Sequence, residues 1–406
     1  MSIKPPPFVP ISRRSLLTGV AGWTASQLLA GCSNQAGVTL TIQLLQKSIP
    51  LQVLSEFTQA NKTIALQTTP QPQLQSLFEQ LQAWQRAGKP LPASSAWHLP
   101  DWIPLVGDRS DPSVADLVAL GDYWLDKAIQ QGLIQPLEPK QIPNWQQLDP
   151  RWQALVTRRT ASGKAATQEQ VWAAPYRWGS TVIAYRQDVF AARQLTPPSD
   201  WSDLWRSDLR GRISLLDQPR EVIGLTLKKL GKSYNTQDLE AIATLKSELL
   251  ALQQNIKFYS STNYLQPLLL EDTWVAVGWS QDILPWITRS QQIAAIVPRS
   301  GTALWADLWV RPASSPTTTA AQAATWINFC WQPHIANQIT QLSQAASPIT
   351  LTLSPEQLPT TLQNCSLLLP DRRILQASEF LQPLPEPAIQ QYQALWEQVR
   401  QAGRLS

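Results

Sequence analysis

Apolar positions along the chain alternate between a period of two and a period of three to four. "VTLTIQLL" (38–45) alternates and then turns apolar, which predicts a strand; "LQVLSEFTQAN" after it has helical spacing, and "TIALQ" predicts a second strand. In "LQSLFEQLQAWQRAG" the apolar residues 74, 77, 78, 81 and 84 mark an amphipathic helix closed by Gly88. Residues 89–113, rich in Pro, Ser and Trp, read as an insertion loop. "VADLVAL" is a strand and "DYWLDKAIQQGLI" a helix with Asp122 near its start. Residues 157–170 read as a polar loop, and "VWAAPYRWGSTVIAYR" as two short strands broken at Pro175. "WSDLWRSDLRGRISLLD" gives a helical turn and a strand ending near Asp217. A helical stripe follows at 239, 242, 245, 249 and 252. "TWVAVGWSQ", "QQIAAIVPR" and "TALWADLWVRP" are strands or strand ends. Residues 317–342 form a helix interrupted near Pro333, and "PEPAIQQYQALWEQVRQAG" closes the chain as a helix.

This alternation implies an α/β protein with largely parallel sheets, and no repeat of 20–50 residues is present. Ligands of open α/β sheets sit at the carboxyl ends of strands. Three stretches fall there: Asp217 with Glu221, Trp279 after "VAVG", and Trp305–Asp307.

Length allows two domains, since the chain has 406 residues, 43% hydrophobic and 15% charged. Trp is over-represented, 19 against 7 Tyr and 7 Phe, so most indoles must pack in the interior while a few can serve as faces for a cation. The N-terminus carries "SRRSLL" (12–17), a twin-arginine-like export signal, then a short apolar run and "LLAGC" (28–32), a lipobox-like sequence. The expectation is a signal over 1–31, lipid on Cys32 and a linker over 32–37, with an uncleaved anchor as the competing reading; either way the folded part lies outside the cytoplasm. Removal of 1–31 leaves 30 basic against 29 acidic residues, so the basic precursor gives no support for nucleic-acid binding. Cys330 and Cys365 then remain, and a buried free thiol at Cys330 is the commoner outcome against a bridge. His98 and His334 lie apart from any acid or thiol cluster, so neither a metal site nor another cofactor is expected. No GxSxG, HExxH or GxxxxGK[ST] pattern occurs, and the chain reads as a non-enzyme.

Several stretches in order, "DYWLDKAIQQGLIQPL", "APYRWGSTVIAY", "WSDLWRSDLRGRISLLDQPREVIGLTLKKLGKSYNT", "VAVGWSQD", "ALWADLWVRP" and "INFCWQPHIANQI", resemble the bacterial extracellular solute-binding proteins of ABC importers, and within them the spermidine/putrescine-binding branch. The resemblance implies a two-lobed, type II-like periplasmic-binding-protein fold with hinge crossovers near 180 and 306. Lobe 1 would be 38–180 plus 307–347, and lobe 2 would be 181–306 plus 348–406. It also implies a polyamine held by carboxylates on its ammonium groups and aromatic faces along its methylenes, as a desolvated ammonium requires. The family positions retained here are Tyr123, Glu221, Trp279, Trp305 and Asp307. Those altered are Leu45 and Ser48 for two aromatics, Gly121 for a serine, Gln218 for an acid and a tyrosine replaced within "QAASPIT"; Gln218 and Asp122, a new acid beside Tyr123, are further candidates.

Each candidate has a plainer structural reading. Glu221 could simply favour a helix N-terminus. Asp307, in an apolar strand, meets either a ligand or an arginine across the cleft. Trp279 and Trp305 could be core, and Trp178 reads as hinge packing. The resulting expectation is a lipid-anchored periplasmic receptor that delivers a small cationic, polyamine-like ligand to ABC permease subunits, with no nucleic acid. The alternatives are the same fold holding an anion, zwitterion or metal chelate, with Arg220 or Arg177 as anion partner, and a scaffold or assembly protein at the membrane.

Overall fold

A computed structural model describes residues 37–87, 114–160 and 168–405. The export signal, Cys32, the 89–113 insertion and His98 lie outside the described residues. In chain order the strands are β1 Val38–Leu45, β2 Ile64–Gln71, β3 Leu117–Gly121, β4 Ile134–Gln135, β5 Thr157–Thr160, β6 Gln168–Val171, β7 Ala174–Arg186, β8 Ile213–Leu215, β9 Ile256–Tyr259, β10 Val275–Trp279, β11 Ile293–Ile296, β12 Ala303–Pro312 and β13 Glu379–Phe380. Their main order is β2-β1-β3-β12-β7-β10-β8-β9, with β4 and β13 on β12 and β11 on β7.

The sheet is mixed rather than largely parallel. β1 runs parallel to β2 and β3, and β8 parallel to β9 and β10, but β7 and β12 are antiparallel to each other and to β10 and β3 respectively. Strand–helix alternation along the chain therefore describes the flanks of the sheet. Its middle is built by two long strands that return from distant segments.

β7 joins the two halves. It pairs with β12 over Ala174–Ser180 and with β10 over Thr181–Tyr185, so it changes partner between residues 180 and 181. All thirteen of its residues are buried, including the polar Arg177, Ser180, Thr181 and Arg186. Pro175 does not break it. The register slips between Asp307 and Leu308, where Leu308 faces Pro175 and Asp307 faces Arg177, leaving Tyr176 as the extra residue of a bulge. A bulge is where a strand can accommodate a residue that has no N–H to donate.

The apolar interior follows the same division. One cluster joins side chains of residues 40–178 with those of 304–349, including Phe57, Trp152, Trp309 and Trp326. Two others gather residues 182–303 with parts of the C-terminal segment, among them Tyr392 and Val399 in one and Leu362 and Leu367 in the other. Leu351, Leu353 and Phe380 pack against the first cluster.

Helices Leu51–Ala60, Leu74–Ala87 and Glu386–Leu405 fall where the apolar spacing puts them. The helix expected near Pro333 is two, Ala320–Cys330 and Pro333–Ser343, with proline at the first turn of the second. Two local expectations fail. The stripe from 239 gives a helix only over Leu245–Gln253, because the Asp238 carboxylate takes the N–H groups of Glu240 and Ala241 and holds a turn instead. The polar stretch 157–170 holds the β5–β6 pair, with Arg158 opposite Gln170 and Arg159 bridged to Glu169 at 2.8 Å. Cys330 and Cys365 are both free thiols. No helix among the described residues is long and apolar enough to cross a membrane.

Candidate functional site

Glu221 lies in the first turn of helix Pro219–Lys229, which starts at Gln218 with proline next. Gln218 makes no side-chain cap bond, and Glu221 is the acid of the first turn. It is 4% exposed and turns inward, where the Thr181 hydroxyl, just past the partner change in β7, lies 3.1 Å from both carboxylate oxygens. Burial pushes its carboxyl up to about 7, against the opposing effects of Thr181, the Trp279 side chain and Arg220. The Arg220 guanidinium is engaged elsewhere: it donates to the Asn235 side chain at 2.9 Å and the Gln382 carbonyl at 3.0 Å, and sits over the Tyr392 ring. Among the described residues, Glu221 is thus a buried carboxylate with no ion-pair partner.

Trp279 ends β10 and is partly exposed. Its main-chain N–H donates to the Tyr264 hydroxyl at 3.1 Å, and that hydroxyl donates to Asp282 at 2.9 Å, while the two rings meet edge to face. Gly278 is required here, because a Cβ on it would lie 1.9 Å from the Tyr264 ring. Asp282, in the first turn of helix Ser280–Arg289, is a site acid that the sequence reading did not single out. Burial raises its carboxyl, while Tyr264 and Arg177 act the other way.

On β12 the picture differs. Asp307 is 2% exposed and Arg177 4%, and the guanidinium Nε donates to the Asp307 carboxylate at 2.5 Å. The two are direct cross-strand neighbours. Burial opposes the charge on Arg177, but Asp307 and Tyr176 more than offset it and its pKa rises. Burial raises the Asp307 carboxyl, while the charge and hydrogen bond of Arg177 act the other way. Of the two partners expected for Asp307, a ligand or an arginine, the arginine is the one in place. Its Cζ also lies 5.8 Å from the centre of the Trp305 ring. Trp305 packs tightly over Gly179, where an added Cβ would meet the indole at 2.4 Å and the Ser280 hydroxyl at 2.6 Å.

Asp122 begins the turn after β3 and accepts the Ala306 N–H at 3.2 Å. Burial, with the Asp307 charge adding to it, pushes its carboxyl up to about 7 against the hydrogen bond from Ala306. Tyr123 is 63% exposed and makes an edge contact with Trp124. Its phenol lies within electrostatic range of Arg220, which stands on the other side of the β7 partner change. Ser48, in one of the two places expected to be aromatic, accepts a hydrogen bond from the Tyr176 phenol at 3.0 Å, and that ring stacks on Trp309. Trp178 is core: it is 1% exposed, lies against Trp152 and exchanges main-chain hydrogen bonds with Ala346. A separate open groove of about 670 Å³, lined by Glu56, Asn61, Asn328 and His334 among others, includes none of these residues.

The arrangement is a chain of four acids: Asp122 feels the Asp307 charge, Arg177 that of Asp307 and Asp282, and Tyr264 that of Asp282 and Glu221, with Trp305 against Arg177, Trp279 against Glu221 and Arg220 at longer range from Glu221. It can stabilise positive charge, and it has no nucleophile–base pair among these residues.

The sequence profile of the bacterial extracellular solute-binding proteins matches residues 113–377. Relatives include the spermidine/putrescine-binding periplasmic protein of Escherichia coli K12, 27% identical over 268 residues that make up 65% of this chain and 72% of the relative. The putrescine-binding periplasmic protein PotF of the same organism is 26% identical over 254 residues, 58% of this chain and 66% of the relative. Among solved structures, the spermidine/putrescine ABC transporter substrate-binding protein PotD of Streptococcus pneumoniae superposes with a TM-score of 0.74 at 20% identity, over 90% of this chain and all of that one. A periplasmic thiamin-binding protein superposes at 0.53 and 15% identity, over 90% of this chain and 96% of that one. These neighbours share the two-lobed α/β fold. The matched segment holds the β7 and β12 crossing strands together with Glu221, Trp279, Trp305 and Asp307, and the chain belongs to the family of bacterial extracellular solute-binding proteins.

Proposed function

We propose that the protein binds a small cationic amine, an ammonium on an apolar chain of the kind polyamines carry, and delivers it to the permease subunits of an ABC importer while tethered to a membrane through lipid on Cys32. One observation carries the ligand class: Glu221 is buried without an ion-pair partner, and burial holds its carboxyl near 7. Removing a carboxylate from water is unfavourable unless a cation accompanies it. Trp279 beside it supplies a face for the same cation, and such a contact adds about 2 kcal/mol when desolvated. An anion has weaker support. Arg177 already faces Asp307, and Arg220 already holds Asn235 and the Gln382 carbonyl through its two terminal nitrogens, so only its Nε is left to offer an anion a single donor. The relatives named for putrescine and spermidine support the same class without fixing the ligand of this chain.

Calorimetry of the mature chain at pH 8 with a panel of amines tests the reading. Binding that Glu221→Gln abolishes is expected; no heat from any amine up to millimolar concentration refutes it. Cys32→Ser should move the protein from the membrane to the soluble fraction, and retention on the membrane would refute the anchor. Membrane pull-downs should return permease subunits. Stable partners that include none would favour a scaffolding role instead.

A further inference from the structure

The proposed cation site has two ends, and one of them is already filled by the protein. Asp307 and Trp305, the acid and indole on β12, both face Arg177: the guanidinium donates to the carboxylate at 2.5 Å and lies 5.8 Å from the ring centre. A ligand ammonium at this end would take up the same two contacts. The pairing is fixed by the backbone, because Asp307 and Arg177 are opposed across β12 and β7 next to the Tyr176 bulge, and both are almost fully buried. The other end is different. Glu221 has only neutral hydrogen-bonding partners, Thr181 and Trp279, and Arg220 is turned to the C-terminal segment.

We propose, resting on the cationic-amine reading above, that Arg177 is a tethered cation occupying the Asp307–Trp305 end of the site, so that the protein selects ligands with a single ammonium and discriminates against diamines and longer polyamines. A monoamine places its ammonium at Glu221 and Trp279 and its apolar tail towards Trp305. A diamine must bring its second ammonium towards Arg177, where it meets like charge and finds Asp307 already neutralised. For the guanidinium to leave, it needs another anion. Asp282 is within its electrostatic range, but the Tyr264 hydroxyl already donates to it. Arg177 is in this account a specificity-determining residue.

The test uses matched pairs by calorimetry at pH 8 on the mature protein: 1-aminobutane against 1,4-diaminobutane, and 1-aminohexane against 1,6-diaminohexane. The wild type should bind each monoamine at least as tightly as its diamine. Arg177→Met keeps the bulk, uncovers Asp307 and should shift the order towards the diamine by tenfold or more. Arg177→Met combined with Asp307→Asn should remove that diamine gain. A wild type that prefers either diamine overturns the proposal while leaving the cationic-amine reading in place, and it decides the matter even where the single variant fails to fold. A folded Arg177→Met protein with no diamine gain also overturns it. Absence of binding by all four amines removes the cationic-amine reading itself, and the proposal with it.

Discussion

Replacing Glu221 with glutamine should make the unliganded protein more stable at pH 8. The carboxyl is raised from 4.5 to about 7 by burial, and the neighbouring groups are Thr181, Trp279, Arg220 and the phenols Tyr234 and Tyr264. At about 1.36 kcal/mol per pKa unit, the shift corresponds to roughly 3 kcal/mol. The sign follows from proton binding: between the unfolded and folded values the native state holds the proton more tightly. Its contribution is therefore fully present below pH 4.5 and is lost as pH rises through about 7. Glutamine keeps the shape without the charge, so the variant should match wild type near pH 4 and exceed it at pH 8 by up to about 3 kcal/mol. Asp122 titrates in the same window in both proteins, so the difference between them isolates Glu221. Urea unfolding of both proteins at half-unit steps from pH 4 to 8.5 measures it. Identical pH slopes, or a variant less stable than wild type at pH 8, would refute the reasoning.

Three further outcomes follow from the same geometry. Gly179→Ala puts a methyl group 2.4 Å from the Trp305 indole and 2.6 Å from the Ser280 hydroxyl. It should destabilise the fold by about 1–3 kcal/mol and weaken amine binding, as thermal melts and calorimetry would show. Arg177→Met leaves Asp307 buried and unpaired, which should cost about 3–5 kcal/mol, while the added Asp307→Asn should recover most of it in a double-mutant cycle read by urea unfolding. Amine affinity should fall about tenfold for each pH unit below 7, because the ligand must compete with the proton on Glu221; constant affinity between pH 5 and 8 would contradict this.

Most of the fold is legible from periodicity because its flanks are locally encoded. Leu77, Phe78, Leu81 and Trp84 on one helical face, or the alternation of Leu40, Ile42 and Leu44, need no distant partner to be read. The centre of the sheet is not local. Whether Pro175 breaks a strand depends on a register slip opposite Asp307, some 130 residues away, and "VWAAPYRWGS" alone holds no trace of it. The same distance separates Arg177 from Asp307: each stands alone in its own segment, and only the register makes them neighbours. Asp282 did leave a signal, an acid three residues past Trp279 at the start of the helix after β10, yet an acid in a first turn has a sufficient local explanation. Glu221 looked equally ordinary, and only its burial separates it from a helix-start decoration.

The central claim is that Glu221 awaits a cation, and proton release on binding tests it most directly. Calorimetry of 1-aminobutane at pH 6, repeated in buffers of different ionisation enthalpy, counts the protons released per ligand. With a carboxyl near 7 that ionises when the ammonium arrives, the wild type should release close to one proton, roughly 0.9, and Glu221→Gln should show no such release. Binding by the wild type without proton release, or equal binding by the glutamine variant, would contradict the account.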